Sequence, residues 1–160
     1  MYDFSADAAL PKPELYRDLA EAAEALIHGE PDGVANMANL AALIWQFLPD
    51  LNWSGFYRNV DGELVLGPFM GKPACIRIPF GKGVCGAAAA TGETQVVPDV
   101  HAFPGHIACD AASRSELVVP VIRDGAVIAV IDLDSPTPER FDAEDAAGIE
   151  RIARIAAAAI

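Results

Sequence analysis

Three acids and three cysteines carry the chemistry open to this chain. The run Ala126–Asp134 is apolar on both faces until Asp132 and Asp134, and the two-residue period of a strand puts those carboxylates on one face. The preceding strand brings Glu116. A two-residue turn at Asp124-Gly125 would set Glu116 opposite Leu133, on the other face. A three-residue loop, Arg123-Asp124-Gly125, with a left-handed Gly125 and a bulge sets it opposite Asp132. Three carboxyls then converge at one end of a half-buried sheet, where like charges cannot all stay ionised without a cation among them. One carboxyl holds a proton, an arrangement suited to ammonium binding combined with general acid catalysis. In the alternative, Glu116 faces solvent and Asp134-Ser135-Pro136 only opens a turn.

Cys75, Cys85 and Cys109 are an odd number, so no fully paired disulfide framework is available. Each is either a redox thiol or a small buried hydrophobe. His101, His106 and Cys109, with Cys75 or Cys85, would supply zinc ligands, but no C-x-x-C or H-x-x-x-H spacing is present and no metal is expected. Gly81-Lys82-Gly83-Val84-Cys85-Gly86 matches G-x-G-x-x-G after a strand and before a helix. That helix is short and no parallel βαβ unit follows, so a dinucleotide cofactor is not expected. What remains is a row of N–H groups at a helix start, suited to a carboxylate. Trp53, Gly55 and Tyr57 share a strand face and either wall a pocket for a small apolar group or serve as core.

The elements that must position these groups follow from period and punctuation. Leu15, Leu19, Ala22, Ala23, Leu26 and Ile27 recur at helical spacing behind Pro11 and Pro13, and Gly29 and Pro31 end that helix. Asp32 is placed to cap a second helix through Leu48, which Pro49 stops. The period then drops to two: Leu51–Val60, Glu63–Met70 and Cys75–Phe80 read as strands, with an Asp61-Gly62 hairpin turn. A short Ala-rich helix over Gly83–Gly92 and a strand at Thr94–Val97 precede a long loop, Pro98–Arg114, whose length suits a lid. Strands at Ser115–Ile122 and Ala126–Asp134 follow, and Asp142 caps a last helix. The expected class is α+β, an antiparallel sheet with terminal helices on one face. Residues 1–11 are expected as an N-terminal extension without order of its own.

The chain of 160 residues carries 11 Lys+Arg against 23 Asp+Glu, a net charge of −12. Self-repulsion excludes nucleic acid and anionic membrane surfaces as natural partners. An apolar content of 52% is too high for disorder. No run reaches the roughly 18 apolar residues of a membrane span, and no basic, apolar leader opens the chain. A cytoplasmic globule is the expectation.

Six segments carry a family resemblance: Trp53-Ser54-Gly55-Phe56-Tyr57, Gly83-Val84-Cys85-Gly86, Val97-Pro98-Asp99-Val100-His101, Pro104–Asp110, Ser115–Pro120 and Ile131–Pro136. On these the chain resembles the free methionine-(R)-sulfoxide reductases, stand-alone GAF-domain enzymes, over nearly its whole length beyond the first helix. The resemblance implies one GAF-like domain over residues 1–160, a six-stranded antiparallel sheet flanked by helices, and a lid loop over the open face. It implies Cys109 as catalytic cysteine, Cys75 as resolving cysteine and Cys85 as a third of less settled part. It assigns Glu116, Asp132 and Asp134 to holding the substrate, with Asp134 or Glu116 as proton donor, and Trp53 and Tyr57 to its methyl group. The implied reaction is reduction of free methionine-(R)-sulfoxide without a bound cofactor, with thioredoxin as external reductant and a homodimer as the common assembly. Other classes weighed against it are a non-catalytic GAF module sensing a small molecule or redox state, and a peroxide-reducing thiol enzyme.

Overall fold

Helical and strand periods in the sequence fall where the backbone takes those forms in the computed structural model, which describes Phe4, residues 9–105 and residues 110–160. Two helices, α1 (Lys12–Ile27) and α2 (Gly33–Phe47), precede strands β1 (Trp53–Val60), β2 (Glu63–Gly71) and β3 (Arg77–Pro79). A short helix α3 (Gly83–Thr91), strand β4 (Gln95–Val97) and a single 3₁₀ turn (Val100–Ala102) lead to β5 (Ser115–Arg123), β6 (Ala126–Ser135) and α4 (Ala143–Ala157). The strands form one antiparallel sheet in the order β3-β2-β1-β6-β5-β4. The expected α+β class is the observed one.

Alternation along β1, β5 and β6 sorts the interior into two cores. Phe56, Leu117, Val119, Ile131 and Leu133 face α1, α2 and α4. Trp53, Tyr57, Val118 and Val130 face the other way, toward α3 and the 3₁₀ turn. Three helices on one face carry most of the apolar burial, so the other face can be given over to a site. Asp32 caps α2 by accepting from Ala35 N–H, and Asp142 caps α4 in a capping box with Asp145. Strand β3 is shorter than its apolar run. Only Arg77–Pro79 pairs with β2, which leaves Cys75 and Ile76 in the preceding loop, because Pro73 and Pro79 have no N–H to give a ladder.

One register differs from expectation. Asp124 and Gly125 both have positive φ, 52° and 79°, and Arg123 pairs with Ala126, so the turn has two residues rather than three. Left alone, that turn would put Glu116 on the wrong face. A register shift between Val121 and Ile122 adds one residue to β6 and brings Glu116 opposite Asp134, not Asp132. The three acids share a face for a different reason than the loop length offered.

The ends of the chain are clasped together. Tyr16 on α1 donates to buried Asp145 on α4 at 2.7 Å, and Lys12 bridges Asp142 and Asp145 at 2.6 Å each. Arg140 meets the other oxygen of Asp145 at 3.3 Å. Phe4 and Leu10 pack against the helical core, and Gln46 donates to the Phe4 carbonyl. Tyr16→Phe removes one donor from a buried carboxylate while keeping the ring. It is expected to cost about 1–3 kcal/mol, read as a Tm lower by roughly 2–10 °C with the fold retained.

Candidate functional site

The face of the sheet away from the three large helices carries a pocket floored by β1, β5 and β6 and walled by the loop after β2, the start of α3 and the loop before β5. Trp53 pairs with Asp134 and Gly55 with Asp132 across β1–β6, and Glu116 pairs with Asp134 across β5–β6. Residues opposite one another share a face, so Trp53, Gly55, Tyr57, Glu116, Asp132 and Asp134 all point into one space. Glu116 and Asp132 are each 6% exposed. The solvent-facing alternative for Glu116 is thereby excluded. Cys85, in the first turn of α3, is a free buried thiol on the same pocket, with Sγ 4.0 Å from a Glu116 oxygen. Donor atoms of Cys85, Glu116 and Asp132 lie within 4.8 Å of one another.

Burial sets the protonation of this cluster. It pushes Glu116 well above the ordinary carboxyl range, with the charges of Asp132 and Asp134 adding to the effect. Asp134 is pushed up by burial and then by Asp132 and Asp110, and a Ser113 hydrogen bond partly offsets this. Asp132 rises to about 7 through burial, opposed by hydrogen bonds from Cys85 and Glu116. Burial and the charges of Asp132 and Glu116 likewise push the Cys85 thiol up, so it stays protonated. One Asp132 oxygen is buried with no hydrogen-bond partner among the described residues, which suits a cationic donor.

The wall is aromatic. The Trp53 ring stacks on Phe69 at 5.1 Å and on Tyr57 at 5.8 Å between centroids. Gly55 makes this possible: a Cβ there would lie 2.7 Å from the Trp53 ring and 2.4 Å from Phe69 Cβ. Both polar tips hold the neighbouring loop. Trp53 Nε1 donates to the Lys72 carbonyl at 3.1 Å, and the Tyr57 hydroxyl donates to the Cys75 carbonyl at 3.0 Å. Cys75 is disulfide-bonded and half-buried. The glycine-rich turn serves packing: a Cβ at Gly86 would sit 2.5 Å from the Pro79 carbonyl oxygen. Lys82 leads into α3 with no side-chain cap, and Gly83 and Val84 line the pocket.

Of the loop residues, His101 lies exposed in the 3₁₀ turn, while His106 and Cys109 lie outside the described residues. The loop's ends are pinned by Val100 N–H to the Arg114 carbonyl at 2.9 Å. A further set of pocket residues has no assigned role in the sequence reading, and of these only Asp110 falls within a motif segment, at the end of Pro104–Asp110. Asp110 and Ser113 line the pocket beside Lys72. Asn52 Nδ2 donates to Asp110 at 3.2 Å and to Ser113 at 3.0 Å, and Lys72 reaches Asp110 at 3.5 Å. These are isolated polar residues at element ends, and only the fold brings them together.

The protonation pattern makes stability depend on pH. With a value near 7 folded against 3.8 ordinarily, Asp132 binds more protons in the folded than in the unfolded chain between those limits. Stability is then full below about pH 4 and lost as pH rises through about 7, by at most about 4 kcal/mol for this group. The Tm of the ligand-free protein is expected to fall between about pH 4 and pH 7. Asp132→Asn is expected to flatten that decline, as followed by calorimetry.

The GAF domain family matches residues 34–160. The chain is 50% identical over 141 residues to the free methionine-R-sulfoxide reductase of Escherichia coli, covering 88% of this chain and 86% of that protein. It is 46% identical over 154 residues to the Saccharomyces cerevisiae protein of that name, covering 91% and 86%. The X-ray structure of free methionine-R-sulfoxide reductase from Neisseria meningitidis in complex with its substrate superposes with a TM-score of 0.94 at 45% identity, over 99% of this chain and 95% of that one.

Proposed function

This chain belongs to the GAF-domain family of free methionine-R-sulfoxide reductases, and we propose that it reduces free L-methionine-(R)-S-oxide to L-methionine. Its relatives' names favour this oxidoreductase reading over a sensing module. The observation that carries the chemistry is the trio of buried Glu116, buried Asp132 and half-buried Asp134 on one sheet face, facing an aromatic wall. A site that holds some carboxyls protonated and others ionised serves both ends of the task.

The substrate's α-ammonium pairs with Asp132, which lines the pocket and has a buried oxygen unpartnered among the described residues, with Glu116 beside it. The α-carboxylate takes the N–H groups at the start of α3. The methyl group lies against Trp53 and Tyr57. A neutral Asp134 or Glu116 donates its proton to the sulfoxide oxygen as the Cys109 thiolate attacks sulfur. The transient bond between the two sulfurs and the substrate S–O bond then break as the oxygen passes to Cys109, so methionine leaves as the thioether and Cys109 is a sulfenic acid. Cys75 condenses with it, releasing water and forming a disulfide, which thioredoxin reduces. The disulfide at Cys75 and the free thiol at Cys85 support Cys75 as the resolving partner. Burial and the nearby acids keep Cys85 in its unreactive thiol form. The R preference follows from three fixed points: methyl on the aromatics, oxygen on the acids, sulfur toward Cys109. The S epimer turns its oxygen away from the proton donor.

Three measurements test this reading. Asp134→Asn and Glu116→Gln are expected to slow single-turnover methionine formation by roughly 10²–10⁴, whereas Asp132→Asn raises KM. Normal rates in both of the first two would remove the general acid from this cluster. Cys109→Ser is expected to be inactive, and Cys75→Ser to release about one methionine per enzyme and then stall with thioredoxin. A stall in Cys85→Ser instead would move the resolving role. Finally, an N-acetylated, C-amidated R-sulfoxide is expected to lose on the order of 10⁴ in kcat/KM, because it leaves a desolvated carboxylate without its cation. Equal values for blocked and free substrates would return the acids to a structural role.

A further inference from the structure

From Leu64 to Gly92 the chain contains Lys72, Arg77 and Lys82 and no Asp or Glu, a positive island in a chain of net charge −12. The island is also a place on the surface. It runs along β2, through the loop that holds Cys75, into the edge strand β3. Lys72 and Arg77 side chains are 71% and 58% exposed; each has one acidic neighbour, Asp110 at 3.5 Å and Glu63 at 2.9 Å. Between them lies Ile76, 69% exposed, the most exposed large apolar side chain among the described residues. Met70, on the same edge, is 37% exposed. The backbone beneath is held at the disulfide and at the next residue: Tyr57 donates to the Cys75 carbonyl at 3.0 Å, and Leu66 N–H to the Ile76 carbonyl at 2.9 Å. An exposed apolar residue beside a disulfide, fixed on a rigid edge and rimmed by cations, is built for contact rather than for folding.

We propose that this edge, with Ile76 as apolar anchor and Lys72 and Arg77 as steering charges, is the docking surface for an acidic protein dithiol that reduces the Cys75 disulfide. The proposal rests on the reading that this disulfide is the oxidised form in the catalytic cycle. On a chain of net charge −12, this edge, where each acid is matched by an exposed cation, repels a negative surface less than the rest does, which selects both place and orientation. The covalent step is thiol–disulfide exchange. A partner thiolate attacks one sulfur of the disulfide, the S–S bond breaks, and the departing sulfur takes a proton. The partner's second thiol then attacks the mixed disulfide, so two electrons and two protons pass from the dithiol to this chain.

The test uses oxidised full-length protein and reduced thioredoxin as the probe, with thiol release followed by rapid mixing and dithiothreitol as a small reductant that needs no docking. For the unmodified protein the second-order rate with thioredoxin is expected to fall several-fold between about 20 mM and about 300 mM salt. Arg77→Gln is expected to be about tenfold slower at low salt and nearly insensitive to it. Ile76→Ser is expected to be about five- to tenfold slower at every salt concentration. Rates with dithiothreitol stay within about twofold throughout. Thioredoxin rates in both variants equal to the unmodified protein overturn the surface, as do thioredoxin and dithiothreitol rates that fall together. Methionine formed from free methionine sulfoxide with dithiothreitol is measured in the same samples. Its absence overturns the reductase reading, while the reduction rates still decide the docking surface.

Discussion

Three carboxyl groups share one desolvated face of the sheet, and their mutual repulsion is the constraint around which the rest of the molecule is arranged. In water they would ionise independently. Here burial removes the solvent that would stabilise the charge, and each ionised member penalises the next. The cluster therefore keeps protons and favours a cation beside it. In the proposed function, a zwitterion with an ammonium at one end and a proton-accepting oxygen at the other answers both tendencies. The cost is borne by the fold, because a face that buries acids contributes less apolar stabilisation than one that buries leucines.

That cost explains the asymmetry of the layers. Helices α1, α2 and α4 all lie on the opposite face, where Leu19, Leu40, Ile44, Ile149 and Ile152 are fully buried. The clasp of Lys12, Tyr16 and Arg140 around Asp145 joins the first and last helices of that layer. Stability is gathered on one side so that strain can be held on the other. The bulge between β5 and β6 belongs to the same division of labour, since one inserted residue moves Glu116 from the helical core to the site without changing the turn.

The aromatic wall and the loop that bears Cys75 form one mechanical unit. Trp53 and Tyr57 present their rings to the pocket and use their polar tips to fix the carbonyls of Lys72 and Cys75. Burial, with the nearby acids adding to it, pushes the Tyr57 hydroxyl upward, so it remains a donor across the physiological range. Any group held against the rings is thus held relative to the loop that bears Cys75. On the far side, Asn52 links Asp110 and Ser113 to the entry of β1, so both borders of the pocket are tied to the same strand.

Much of this was legible in the sequence because it rests on short-range rules. Helical period, the Asp32 and Asp142 caps, the Asp61-Gly62 and Asp124-Gly125 turns and the strand alternation each depend on neighbours a few residues away. So does the shared face of Asp132 and Asp134, and that of Trp53, Gly55 and Tyr57. The tertiary structure decided what depends on partners far along the chain. The pairing of Glu116 with Asp134 needed a bulge that no local residue pattern announces. The convergence of Asn52, Lys72, Asp110 and Ser113 needed three separate elements to meet. The inward turn of Cys85 and the outward turn of Ile76 follow from how α3 and β3 pack. Periodicity assigns a side chain to a face; only packing against distant segments decides whether that face meets water, a carboxylate or another protein.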